Sequence, residues 1–389
     1  MQSECVDKRK WIGQGEFLRG LNYAMLLPGP EAQQLAAYIG WRLHGIRGAL
    51  FAGISFIVPG TVLMMLLAWI AASQSDSSLV KAIFAGVKPV VVAIIIHALW
   101  RIGSKACNTF PSITIALAAF VAIKFGSVPF PIVILSSGIL GFILAQSSWG
   151  QFNVGNLNGS MDGHSDASFS TSDILARWLI ITFWALVIGA VPCTFIVMTF
   201  GPEPFLDIIQ LFTSAAFVTF GGAYAVLPYI AEASVYTYGW LTPTEMINGL
   251  ALAESTPGPL ILVTTYVGFF AGWKSTGLTF AFLSAGLTTL VTFLPSFLFI
   301  IAGAPYVEAL QKRAWARNSL GAITAAVVGV IFNLAVFFGE AALTLDGQVV
   351  LLNFVAAVFA LGLLFSGRFS VPVIVGIGAL YGIIADAVI

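Results

Sequence analysis

The chain has 389 residues, of which 59% are hydrophobic and only 9% are charged, with a formal net charge of zero. Soluble domains carry about 25% charged residues, so the composition excludes an ordinary soluble protein and predicts an all-α, polytopic membrane protein. The zero net charge gives no electrostatic reason to expect a nucleic-acid partner.

The first half of the sequence alternates apolar stretches with short breaks. Its first two stretches have about 14 and 12 residues, and at about 1.5 Å per residue neither crosses a hydrocarbon core of about 30 Å. Two long stretches and two shorter ones follow, and these are predicted to span the membrane. The predicted first-half segments are 14–27, 32–43, 48–72, 80–102, 111–125 and 129–146.

Pro28-Gly29-Pro30 separates the two short stretches. Proline lacks a backbone N–H and clashes with the preceding helical turn, so this triplet breaks a helix. Within a bilayer such a break is tolerated only where it is buried in protein or faces a water-filled cavity. We therefore expect a re-entrant helical hairpin with its tip at the triplet, a position where transporters bind their substrates.

The second half repeats this plan after a polar loop at 147–173 and a linker span at 177–199. Its apolar stretches are broken at Gly221-Gly222 and at Pro257-Gly258-Pro259. The predicted second-half segments are 204–220, 223–236, 244–256, 260–272, 277–302, 319–339, 350–365 and 371–387. These segments divide the chain into a first membrane repeat at 1–147, a loop and linker span at 148–203, and a second membrane repeat at 204–389.

The two halves align as a duplication with opposite orientations. Gly20 lies eight residues before Pro28, as Gly249 lies eight residues before Pro257. Further matched pairs are Trp11 with Trp240, Tyr38 with Tyr266, and Pro59 with Pro295. Lys and Arg concentrate in cytoplasmic loops. They flank the first hairpin, but in the second half they lie between the long spans, with Lys274, after the second hairpin, as an exception. We therefore predict an inverted repeat, in which the first hairpin enters from the cytoplasm and the second from outside.

The breaks are suited to binding an anion. The second proline of each triplet, Pro30 or Pro259, is expected as the first residue of the returning half-helix. The free N–H groups of a helix N-terminus carry partial positive charge and donate to an oxyanion, and glycine permits close backbone approach. The alternative is that these residues only kink helices so that they pack. The duplication with inverted charged flanks favours the anion site.

Five polar side chains complete the predicted substrate site. Glu31 and Glu254 are either acids that favour a helix terminus or proton-coupling acids whose protonation removes repulsion of a bound dianion. Gln33 and Gln34 either donate hydrogen bonds to oxyanion oxygens or bridge helices. Lys88 lies inside a predicted span, where a buried base is costly and marks a functional site by default. Its alternative role is to extend towards the outer interface.

The signature at 28–41 resembles that of the first half of the chromate ion transporter (CHR) family, in its long two-repeat form. Phe220-Gly221-Gly222, Gly239-Trp240-Leu241 and Pro257-Gly258-Pro259 resemble the second-half signatures of that family. The likeness extends over nearly the whole chain. It implies transport of chromate, an oxyanion close in shape and charge to sulfate, usually as efflux that gives chromate resistance.

Two features depart from the family pattern. Family members usually begin with a segment containing Phe-Gly-Gly-Pro before a sequence like Arg9-Lys10-Trp11, and that segment is not present here. Either the true start lies upstream, or the first repeat is expected to lack its first hairpin. Glu254 stands where the family commonly has Gln, which changes the local charge.

Three classes of function compete. The first is a secondary transporter of chromate, with a sulfate or other oxyanion carrier as its near alternative; the second is an anion channel or a non-transporting scaffold; the third is a membrane-embedded enzyme. The enzyme is disfavoured because the sequence has no HExxH, no nucleotide-binding loop and no clustered His/Cys/Asp set, and its three cysteines are far apart. No cofactor or metal is expected. The expected partners are a chromate or sulfate-like oxyanion, the lipid bilayer of the cell membrane, a proton or counter-anion for coupling, and a second copy in a homodimer.

Overall fold

The computed structural model of the protein describes residues 1–145, 171–303, 314–345 and 348–388. This part of the chain is almost entirely helical, apart from an antiparallel pair of two-residue strands, β1 (Thr344–Leu345) and β2 (Gln348–Val349). The α-helices are α1 (Gln14–Leu26), α2 (Glu31–Ser73), α3 (Ser78–Ala106), α4 (Phe110–Lys124), α5 (Phe130–Leu144), α6 (Thr171–Phe200), α7 (Phe205–Val218), α8 (Ala223–Glu232), α9 (Pro243–Ser255), α10 (Val263–Thr276), α11 (Leu278–Gly303), α12 (Ala314–Leu343), α13 (Leu351–Ser366) and α14 (Val371–Val388).

Five of the described helices, α2, α3, α6, α11 and α12, are long and apolar enough to cross a membrane. This confirms the all-α, multi-pass membrane protein predicted from composition. The 43 residues of α2 would extend about 65 Å, but the helix is kinked at His44 and Gly45, which have non-helical dihedral angles. The kink separates the predicted segments 32–43 and 48–72. The inverted orientation, the re-entrant course of the hairpins and the three-part division of the chain stay predictions.

The predicted polar loop at 147–173 ends earlier than expected. Residues 146–170 lie outside the described part of the chain, and α6 already begins at Thr171. Thr171, Ser172 and Asp173, which were predicted to belong to the loop, are helical residues of α6.

The last two described helices of each half pack against the other half. α4 and α5 of the first half pack on α12 of the second half, α13 and α14 pack on α3 of the first, and α3 and α12 pack against each other. Small residues allow close backbone approach: a methyl group added at Gly329 of α12 would overlap the backbone at Ala116 of α4. Likewise, one added at Gly86 of α3 would overlap the backbone at Gly378 and Gly382 of α14. The main buried cluster of the described residues draws on both halves.

The two hairpins have the same internal packing. In the first, formed by α1 and the start of α2, Gly20 lies against the ring of Tyr38. In the second, formed by α9 and α10, Gly249 lies against the ring of Tyr266. A side chain at either glycine would overlap the tyrosine ring. These are pairs that the sequence alignment matched.

An ion pair also closes the base of each hairpin. Glu16 at the start of α1 pairs with Arg42 at the end of the first piece of α2, and Glu245 at the start of α9 pairs with Lys274 at the end of α10. The Lys274 Nζ to Glu245 Oε2 distance is 2.9 Å. Each hairpin is therefore held at its base by charge and along its length by a glycine–tyrosine contact.

Candidate substrate site at three helix breaks

The first break lies between α1 and α2 and is buried. Gly29 has φ = +119°, a conformation that favours glycine, and its N–H donates a hydrogen bond to the carbonyl oxygen of Thr219 at 2.7 Å. Pro30 was predicted as the first residue of the returning helix, but its ψ of 103° is extended, so it is the N-cap and Glu31 is the first helical residue. The free N–H groups of that first turn still follow the break directly.

The second break lies between α9 and α10 and is more open. Gly258 has φ = +128°, so its backbone resembles that of the first break, but Pro257 and Gly258 are exposed. Pro259 was also predicted to begin a half-helix. Instead it caps a tighter 3₁₀ turn, Leu260–Leu262, which precedes α10.

The third break lies between α7 and α8 and contacts the first. Gly221 and Gly222 have φ = +77° and +96°. A methyl group added at either glycine would meet no atom within 4 Å, so the backbone borders open space there. Thr219, just before these glycines, accepts the hydrogen bond from Gly29.

Tyr224 links the third break to the second. It is the second residue of α8, and its hydroxyl donates a hydrogen bond to Oε1 of Glu254, three residues before Pro257. Together with the contact between Gly29 and Thr219, this bond brings all three breaks to one place. Tyr224 was not among the residues predicted from the sequence, although its position two residues after Gly222 was an available signal.

Each Pro-Gly-Pro break also packs against a long helix of the other half. Gly29 lies against Ser296 of α11, where a side chain on the glycine would overlap the serine hydroxyl. Gly258 lies against α2, where a Cβ would be 3.7 Å from Cα of Gly60. Ser296 and Gly60 each follow one of the two helix-internal prolines that the alignment matched. Ser296 was not among the residues predicted from the sequence, although the match between Pro59 and Pro295 pointed to its position.

Gln33 and Gln34 are fully buried beside the first break. Nε2 of Gln34 donates to the carbonyl oxygen of Pro28 at 2.7 Å, while its Oε1 has no hydrogen-bond partner among the described residues. The amide of Gln33 approaches Gly53, where an added Cβ would be 3.1 Å from Nε2. Neither polar atom of that amide has a partner in the described part of the chain. Buried amides are normally hydrogen-bonded, so the Gln33 amide is available to a ligand.

The two charged candidates on α2 and α3 differ in position. Glu31 is half-buried in the first turn of α2, and among the described residues its carboxylate forms no ion pair. Lys88 is half-buried on α3, and in the same part of the chain no hydrogen bond or ion pair joins it to a break. The geometry therefore brings Glu31 to the site and does not connect Lys88 with it.

The three breaks share one electrostatic feature. Each is followed by a helical N-terminus, that of α2, of α8 or of the turn before α10. Free N–H groups and the helix dipole make such a terminus favourable for an anion. In the described ranges no group of three or more His, Cys, Asp or Glu side chains is placed to hold a metal ion. The arrangement can thus bind an oxyanion through backbone and amide donors.

The sequence matches the model of the chromate transporter family over residues 1–142 and 206–383. It is 29% identical to a chromate transport protein of Pseudomonas aeruginosa, over 85% of this chain and 73% of that protein. It is 27% identical to a chromate transport protein of Cupriavidus metallidurans, over 99% of this chain and 87% of the other. A probable chromate transport protein of Synechococcus elongatus is 25% identical to it, over 99% of this chain and 89% of that protein. No solved structure gives a significant match.

Proposed function

The chain belongs to the chromate transporter family, and we propose that it is a secondary transporter that carries chromate out of the cell across the plasma membrane. The relatives described above are named as chromate transport proteins and are similar to it over most of their length. A carrier needs a site that both faces of the membrane reach in turn, and helix breaks contributed by two repeats are a common way to build one.

One observation carries the proposal: helix N-termini from both halves meet at the same place. The Gly29 to Thr219 bond and the Tyr224 to Glu254 bond tie the three breaks together. Chromate is a tetrahedral dianion, and several N-termini offer it donors from different directions. The open space beside Gly221 and Gly222 supports a ligand there.

Side chains add donors and a route to coupling. Nε2 of Gln33 is a free, buried donor beside the first break. Glu31 and Glu254 would repel a dianion when ionised, so a proton on either acid would favour binding and couple the two fluxes. A counter-anion that occupies the same donors on the return step is the other route. Sulfate has the same shape and charge as chromate, so we expect it to compete.

The unequal exposure of the two Pro-Gly-Pro breaks favours a carrier over a channel. Gly29 is buried and hydrogen-bonded, whereas Pro257 and Gly258 are exposed. A carrier in one of its two states is open on one side of its site and closed on the other. An open channel would leave both breaks accessible at once.

Uptake into inside-out membrane vesicles tests this function. Vesicles containing the protein should accumulate labelled chromate with a rate that saturates, and sulfate should inhibit it. Vesicles with the Gly258→Val variant, at matched protein level, should take up much less. Absence of uptake under every imposed ion or proton gradient would overturn the transporter, and a rate that rises linearly with chromate concentration would indicate a channel.

A further inference from the structure

A row of four hydroxyl side chains runs along one face of α11. Ser284, Thr288, Thr292 and Ser296 are spaced four residues apart, so they follow each other on successive turns. They are 0%, 0%, 2% and 0% exposed, and none of their hydroxyl oxygens has a hydrogen-bond partner among the described residues.

This lack of partners is unusual for helical hydroxyls. A serine or threonine inside a helix commonly donates to the carbonyl four residues earlier. Thr289, on the same helix, does so to Ala285 at 2.9 Å, and Thr324 of α12 does so to Leu320 at 2.8 Å. A buried polar atom without a partner is costly, so the free hydroxyls at the end of the row, those of Thr292 and Ser296, indicate a ligand that supplies the missing contacts.

The row ends at the first break, where further free oxygens lie. Ser296 contacts Gly29, and a Cβ on Gly29 would be 2.9 Å from Nε2 of Gln34. One N–H of that Nε2 donates to the carbonyl oxygen of Pro28. Its Oε1 has no hydrogen-bond partner among the described residues, so Gln34 offers the site a free acceptor.

Free acceptor oxygens are the ligands of a hard cation. Glu31, three residues before Gln34 on the same face of the helix, provides a carboxylate without an ion-pair partner in the described part of the chain. In transporters, unwound carbonyls and half-helix C-termini coordinate Na⁺ beside an anion site. We propose that a Na⁺ ion binds here, between the end of α1 and α11, held by Oε1 of Gln34 and the hydroxyl oxygens of Thr292 and Ser296.

The charge of the site selects a monovalent ion. Ca²⁺ sites use several carboxylates, and Mg²⁺ keeps much of its water shell. Glu31 is the acid that shares a face with Gln34, and the described residues hold no cluster of acids elsewhere that would complete a divalent site. One carboxylate with neutral oxygens balances one positive charge. The cation site does not depend on the identity of the transported anion.

Thermal stability of the purified full-length protein, without chromate or sulfate, tests the site. At constant ionic strength, replacing choline chloride by NaCl should raise Tm, because a ligand that binds only the folded state stabilises it, and KCl should raise it less. In the Thr292→Val and Ser296→Ala variants, the Na⁺ concentration that gives half of the rise in Tm should be at least tenfold higher than in the wild type. Binding of ²²Na⁺ to the same samples should show the same loss.

Two matched variants control for folding. Thr289→Val removes a hydroxyl on the same helix that is already hydrogen-bonded, and it should keep the wild-type Na⁺ response. Thr292→Ser keeps the hydroxyl and should keep most of the response. Equal effects of Na⁺, K⁺ and choline, or a Na⁺ response that persists in both Thr292→Val and Ser296→Ala, would overturn the proposal. The proposal would also be overturned if sulfate raised Tm, Na⁺ did not, and Thr292→Val abolished the effect of sulfate. The hydroxyl row would then bind the anion.

Discussion

The two Pro-Gly-Pro breaks have nearly the same backbone but different surroundings. Gly29 and Gly258 have φ angles of +119° and +128°, and both hairpins have the same glycine–tyrosine packing. The first break is buried, and the polar residues Glu31, Gln33 and Gln34 follow it. The second is exposed and is followed by the apolar turn Leu260–Leu262.

The two breaks therefore share their backbone conformation and differ in the side chains around it. The backbone break depends on proline and glycine, and these residues stand in both copies. The side chains that surround a ligand are free to diverge, because one set is enough for one site between the halves. We therefore expect unequal effects of matched substitutions in the two breaks.

The largest expected effect is that of Gly29→Ala. A residue other than glycine at this φ costs about 1–3 kcal/mol, and its Cβ would also overlap the hydroxyl of Ser296. We expect chromate uptake to fall by more than about 100-fold, since each 1.4 kcal/mol corresponds to about tenfold. Gly258→Ala should cost only about tenfold, because its nearest obstacle, Cδ1 of Leu262 at 2.9 Å, is the movable end of a side chain.

Gly367→Ala controls for backbone strain alone. Gly367 has φ = +65° and open space around it, at the end of α13. Uptake by this variant should stay near that of the wild type. Equal losses in Gly29→Ala and Gly258→Ala would show that the two breaks contribute alike.

The next effect concerns the unpartnered amide of Gln33, whose position in the second break is occupied by Leu262. Gln33→Leu removes a donor to the anion, and a hydrogen bond to a charged group contributes about 1.5–3 kcal/mol, so uptake should fall roughly 10- to 100-fold. The same change removes a buried polar group without a partner, so Tm should rise by a few degrees. Scanning calorimetry and vesicle uptake measure the two quantities.

Opposite changes in stability and uptake identify a residue kept for ligand binding. Gln74→Leu, at the exposed end of α2, should alter neither quantity. A fall in Tm with unchanged uptake would mean that Gln33 is a structural residue instead.

The positions of the helix breaks could be predicted because their cause is local. Two prolines around a glycine, at 28–30 and 257–259, interrupt a helix, whereas the single prolines Pro59 and Pro295 lie inside helices. The residues that contact the breaks could not be predicted, because Ser296 lies 267 residues from Gly29 and no short-range sequence pattern indicates that contact. The 3₁₀ turn at Leu260–Leu262 had no local signal either, since its apolar residues suit an α-helix equally well. Lys88 was selected for its unfavourable burial, which does not say what it faces.

A moderate effect is expected for the bond between Tyr224 and Glu254, which has no counterpart at the first break, where Met25 occupies the matched position. Tyr224→Phe should lower uptake roughly 5- to 10-fold, the loss of one hydrogen bond of about 1 kcal/mol. Glu254→Gln, the residue common in the family, keeps an acceptor for the tyrosine and should retain uptake within about threefold. If the two residues act through their bond, the double variant should be no worse than Tyr224→Phe alone. Additive losses would show that they act separately.

The smallest effect is expected at the bases of the hairpins, where the two halves are alike. Glu16 pairs with Arg42 and Glu245 with Lys274, and all four side chains are partly exposed. Partly exposed ion pairs contribute less than about 1 kcal/mol and are weakened by salt, so Glu16→Gln and Glu245→Gln should each change uptake by less than about twofold. The second variant keeps the hydrogen bond that position 245 accepts from the N–H of Thr242, because an amide oxygen also accepts. Equal, salt-dependent decreases in Tm for the two variants would show that the hairpins differ at their tips and not at their bases. A large loss of uptake in only one variant would show that the bases differ as well.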